Sequence, residues 1–180
     1  MKDWNVVVTA YDAQGRRAAK RSLREFGAVE QSEFFNVLVM RVPDVASFVE
    51  DFAAFVSENL DVLNDIARLL PAKETFDFST AEEFEAKAKE IVLGWAQELA
   101  GKSFYARIHR RGLRGVLSSQ REERFLDELI LARTSELGAP AKVTFSDPDY
   151  VIDIETVGNR AGVSLWSREE LRRYPFLRIE

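Results

Sequence analysis

The chain has 180 residues, a formal charge of −5 at pH 7, 46% hydrophobic residues and no cysteine. That length suits one or two small domains, and the apolar share supports packed cores rather than a disordered tail. Without cysteine there are no disulfides, zinc-thiolate sites, iron–sulfur clusters or thiol nucleophiles; with no apolar run near the ~20 residues that span a bilayer, the expectation is a soluble protein of the cytoplasm.

Residues 4–11 are a nearly continuous apolar run, the pattern of a central strand. Gly15 is expected to open a helix that Gly27 closes, with Ala19, Leu23 and Phe26 as its apolar stripe. Arg17, Lys20, Arg21 and Arg24 fall at i, i+3, i+4 and i+7, which puts four cations on one face. Strand-like segments follow at 28–34 and 36–42. Asp44 then reads as the N-cap of a helix whose buried stripe is Val45, Phe48, Val49, Phe52, Val56 and Leu60. Residues 66–78 form a last extended segment interrupted by Pro71. The order β-α-β-β-α-β is the ferredoxin-like arrangement, and it sets a first domain at 1–78.

A second domain, 79–180, starts with two capping-box spacings, Ser79…Glu82 and Thr80…Glu83. Phe84, Ala88, Ile91, Val92, Trp95 and Leu99 keep helical period up to Gly101. Next comes KSFYARIHRRGLRGVLSS, residues 102–119, a cationic island on an acidic molecule. Phe104, Ala106 and Ile108 alternate with Tyr105, Arg107 and His109, which predicts a strand with one buried and one exposed face. A basic Gly-flanked turn leads to a helix capped at Ser119…Glu122, with Phe125, Leu126, Leu129 and Ile130 on its inner side. Gly138-Ala139-Pro140 ends it. A short strand at 143–145, a turn at Asp147-Pro148-Asp149, a hairpin of 150–156 with 161–166 and a last helical turn from Ser167 complete the chain.

Catalytic chemistry has little to work with. His109 is the only histidine, and its arginine neighbours oppose its protonation. There is no Walker loop and no G-x-G-x-x-G turn, so no nucleotide cofactor is expected. Ser118 and Ser119 lack a base and read as capping residues. Asp147, Asp149, Asp153 and Glu155 form an acidic run, but a turn followed by a solvent-facing strand side explains it more simply than a metal site. The basic segment has two readings. One is an anion surface, in which arginine forks and a helix N-terminus receive phosphate. The other is a charged strand edge that deters aggregation. The acidic stretch from Asp44 to Asp65 offers a further alternative, a face for docking protein.

Three pieces in order, FYARIHRRGLRGVLSSQ, KVTFSDPDYVIDIE and GNRAGVSL, resemble a THUMP domain, the RNA-binding module of several tRNA-modifying systems. The segments NVVVTAY and IARLLPAKETF resemble the ferredoxin-like domain that precedes it. In the turn, where many relatives have His or Lys with an aromatic, this chain has Leu113-Arg114-Gly115-Val116-Leu117. The resemblance implies an α+β protein, a ferredoxin-like domain followed by a THUMP α/β domain. It implies a non-catalytic tRNA-binding adaptor, similar to the stand-alone adaptor of tRNA cytidine acetylation, because the chain ends soon after the hairpin and leaves no room for a catalytic domain. The partners would be the acceptor end of tRNA and a separate modifying enzyme, an acetyltransferase that makes N4-acetylcytidine; the alternative is the RNA-binding subunit of a different modifying enzyme. The RNA surface would centre on Lys102, Arg107, His109, Arg110, Arg111, Arg114, Ser118 and Ser119, with Arg17, Lys20, Arg21 and Arg24 as a second patch.

Overall fold

A computed structural model describes residues 1–180. The chain divides into two compact units, 1–73 with 171–180, and 74–170.

The first unit runs β1 (Val6–Ala10), α1 (Ala13–Leu23), β2 (Ala28–Gln31), β3 (Val37–Arg41), α2 (Val45–Glu58), a short turn of helix α3 (Val62–Asp65) and β4 (Ile66–Pro71). Its sheet has the order β2-β3-β1-β4, all neighbours antiparallel, which is the expected ferredoxin-like topology. β1 is a central strand and is buried along nearly its whole length. The two predicted punctuating glycines have a tighter role than helix ends. A Cβ on Gly15 would lie 2.8 Å from the Asp65 carbonyl oxygen, and one on Gly27 would lie 2.2 Å from that of Arg41. Each position therefore excludes any side chain. Asp12 caps α1 by accepting from the Gly15 N–H, whereas Asp44 makes no side-chain cap to α2. Leu60 is not part of the α2 stripe; it lies beyond the helix end and is 67% exposed.

The last residues differ from expectation. They belong with the first unit: Phe176 is buried edge-on against Phe52 at 4.9 Å, its carbonyl accepts from the Leu69 N–H, and Arg173 and Tyr174 both reach Glu50. The apolar run Tyr174-Pro175-Phe176-Leu177 supplies the reason, since it completes a core that α2 leaves open.

The second unit begins with β5 (Glu74–Asp77), so the predicted segment 66–78 is two strands in two sheets, separated at Ala72-Lys73. It continues with α4 (Ala81–Leu93), α5 (Ala96–Leu99), β6 (Ser103–Arg111), α6 (Ser119–Glu136), β7 (Lys142–Val143), β8 (Tyr150–Val157), β9 (Arg160–Ser167) and α7 (Arg168–Arg173), the last of which leads back into the first unit. The sheet order is β5-β9-β8-β6-β7. β6 lies parallel to both β7 and β8, while β8 and β9 form the antiparallel hairpin. Phe84, Val92, Phe104, Ala106, Ile108, Leu126, Ile130, Ile152 and Val163 join in one core between the helices and one face of this sheet. Fold class and chain order are thus the expected α+β ones. No helix is long and apolar enough to cross a membrane.

Candidate nucleic-acid interface

β6 organises the basic segment, but it scatters what the sequence placed together. Lys102 is exposed just before β6, and Arg110 is eight residues on, about 26 Å away at the rise of a strand. The predicted exposed face of β6 is not exposed. Tyr105 is buried, and the side chains of Arg107, His109 and Arg111 retain 28%, 16% and 13% of their exposure. The cause is the parallel register with β8, which sets His109 opposite Glu155 and Arg107 opposite Asp153. Arg111 is ion-paired to Glu155, and His109 Nε2 lies 4.0 Å from the same carboxylate. Arg107 spreads over the Tyr105 ring at 5.4 Å and approaches Glu123 at 3.9 Å. These three side chains are committed to the sheet.

The acidic run divides in the same way. Asp149 accepts from the Ser103 N–H and hydroxyl, which holds its carboxyl below the usual range, and with Asp147 it pairs Arg168. Asp153 and Glu155 are buried, not solvent-facing. His109, Asp153 and Glu155 have ligand atoms within 4.8 Å of one another. The Arg111 guanidinium on Glu155 occupies the charge a cation would need, so the donor set suits an ion-pair network better than a metal.

Apart from Lys102, what remains exposed lies at the far end of β6 and the start of α6. The turn passes through Leu113 and Gly115 at positive φ, presenting Arg114 to solvent, and Arg110 donates to the Gly112 carbonyl across its base. Ser118, not Ser119, is the N-cap: its hydroxyl accepts from the Arg121 N–H, and Ser119 is the first helical residue. The expected Ser119…Glu122 box does not form, because Glu122 turns inward toward Glu85 on α4. A groove of about 490 Å³ opens here, lined by Arg110, Leu117, Ser118, Ser119, Arg121 and Glu122 among others. A second groove of about 480 Å³ adjoins it along α6 past Arg121 and Arg124. Both arginines are exposed and one helical turn apart. Sequence reading passed over them because acids interleave with them; the signal was their place in the first two turns after the capping serine.

Burial raises two carboxyls of α6. Glu122 is pushed up to about 7 by desolvation first and then by Glu85. Asp127 is also pushed up to about 7 by desolvation, against the Ala106 N–H that it accepts. That bond and the one from the Ile108 N–H to Glu123 have a structural purpose. β7 pairs only with Ser103 and Phe104, so α6 carboxylates cover the donors that β6 leaves open beyond it. In the first unit, Arg17, Arg21 and Arg24 stand exposed on α1 and Lys20 is half-buried.

No family model and no curated protein matches the chain. Solved structures do. PH1313 from Pyrococcus horikoshii Ot3 is similar over 92% of this chain and 55% of its own, at 14% identity and TM-score 0.58. TrmN from Thermus thermophilus is similar over 90% of this chain and 44% of its own, at 16% identity and TM-score 0.58. A 4-thiouridine synthetase, solved as an RNA complex with bound ATP, is similar over 91% of this chain and 41% of its own, at 14% identity and TM-score 0.53. The likeness is one of fold. It extends through both units, and the chain spans about half or less of the length of each of these three structures.

Proposed function

We propose that this chain is a tRNA-binding adaptor of THUMP type that works in the cytoplasm, does no chemistry itself and presents tRNA to a separate modification enzyme. The observation that carries it is the cationic end of β6 and α6. There Arg110 and Arg121 line the groove at the N-terminus of an 18-residue helix, Arg124 lines the adjoining groove, and Arg114 stands exposed on the turn before the helix. Forked donors and a helix N-terminus suit phosphate oxygens, and they would read helix shape and strand ends more than internal sequence. The fold likeness to a synthetase solved with RNA supports the same ligand. Within this reading the modification is N4-acetylcytidine and the partner an acetyltransferase. The outer face of α2, with Asp51 and Glu58 exposed, is the docking face for that partner.

Salt-titrated binding of bulk tRNA tests the proposal. Affinity should fall steeply and log-linearly with salt, at about 0.9 in slope per neutralised phosphate. A folded protein that fails to bind tRNA at low salt would overturn it. Co-purification then identifies the enzyme.

A further inference from the structure

The groove at the start of α6 holds one group that an ordinary anion site would not tolerate. Glu122 lines it beside Arg110 and Arg121, yet the residue is only 1% exposed and its Oε2 has no hydrogen-bond partner. The Glu85 carboxyl of α4 faces it, and burial beside this second acid raises the Glu122 carboxyl, which favours its protonated form. The charged groups facing it are Glu82 and Glu85 from α4, Arg121 from α6 and Arg110 from the end of β6. Arg121 is the movable one. It is 68% exposed and lies 3.2 Å from Glu85 and 3.9 Å from Glu122.

These positions have opposite consequences for the two states of Glu122. Ionised, it sets a negative charge in the floor of a groove that otherwise attracts anions. Protonated, it adds an O–H donor beside the guanidinium groups and the α6 N–H groups. An anion that draws Arg121 outward also takes the counter-charge from the carboxyl pair, which then holds its proton more tightly. The two ligands therefore help each other, and linkage makes that help reciprocal.

We propose that this groove is a phosphate-binding site that takes up its anion together with a proton, with the protonated Glu122 carboxyl donating a hydrogen bond to a phosphate oxygen. The site stands on the groove itself; that the phosphate belongs to RNA rests on the function proposed above. An internal phosphodiester and a 5′-terminal monophosphate offer the same oxygens.

Sulfate is the probe for the site, because it stays a dianion from pH 6 to 8 and only the protein titrates. Its binding to the full chain is followed by the amide resonances of Ser119, Gln120 and Arg121. The dissociation constant should rise as pH climbs above about 7, by at most about tenfold per pH unit for one linked proton. Glu122→Gln keeps a neutral donor, so it should bind sulfate at pH 8 as the wild type does at pH 6, without pH dependence. Glu85→Gln provides the second variant and should likewise weaken the pH dependence. A pH-independent sulfate constant in the wild type, an unchanged pH profile in both variants, or no shift at α6 would each overturn the proposal. The same series with 5′-phosphorylated and 5′-hydroxyl tRNA separates the two sources of phosphate. tRNA binding with no pH dependence overturns the proton-linked site and leaves the adaptor reading intact. A pH-linked sulfate site in a protein that ignores tRNA upholds the site and removes that reading.

Discussion

Ser118 and Ser119 are neighbours of the same chemistry, yet one hydroxyl caps α6 and the other lies inside its first turn. Ser118→Ala should cost about 1 kcal/mol, as for a lost N-cap, and Ser119→Ala far less. Paired thermal melts separate them, and equal losses would refute the assignment. Arg110 and Arg111 are likewise adjacent with unlike duties. Arg111 faces the buried Glu155, so Arg111→Glu sets two carboxyls together and should destabilise the protein by about 3–5 kcal/mol in urea unfolding. Arg110→Glu combined with Arg114→Glu changes a groove wall and an exposed turn. It should leave the fold intact while tRNA affinity drops and the salt slope shrinks by about two units. If the doubly reversed protein folds and binds tRNA normally, the interface lies elsewhere.

α1 presents Arg17, Arg21 and Arg24 to solvent while Gly15, Ala19 and Leu23 pack inward. Reversing those three charges should lower tRNA affinity and the salt slope by about three units, with little change in melting temperature, if α1 contributes phosphate contacts. α6 has a pH signature of its own. The folded-state pKa of Asp127 is raised to about 7, above the unfolded value near 4, so the native state binds the extra proton between these limits. Stability from this group is therefore present at low pH and declines as pH rises toward 7. Asp127→Asn should flatten the loss between about pH 4 and pH 7 in urea unfolding; an unchanged profile would assign the loss to other groups. Elements with strong periodicity were legible in the sequence: β1, the α1 face, the β6 alternation and the α6 core stripe all appear near the expected residues. The exposure of β6 was not legible. Alternation shows that a strand has two faces, but what waits opposite His109 and Arg111 depends on the register with β8, more than forty residues away. The capping serine was misplaced by one for a similar reason, since Glu122 is buried facing Glu85 on another helix and is not turned back to a cap.

At the scale of the molecule, the first unit is discontinuous in sequence. Phe176 is fully packed and sits against Phe52, so Phe176→Ala should cost about 3–5 kcal/mol, read as early loss of the first unit's unfolding transition. An unaltered transition would show the tail to be a bystander. The two β-hairpin and helix patterns that announce each unit are local, which is why their order could be read; the return of residues 171–180 is not, because four apolar residues near the end of a chain match many cores. That return also governs the order of events during synthesis. The ribosome releases residues 1–73 first, then all of 74–170, and only afterwards the segment that seals the first core. At roughly 5–20 residues per second, the first unit waits about 5–20 seconds with Phe52 lacking its cover, while the second can close as soon as it emerges. The nascent chain thus matures from the middle outward: the part bearing the cationic groove completes its fold before the part that was made first.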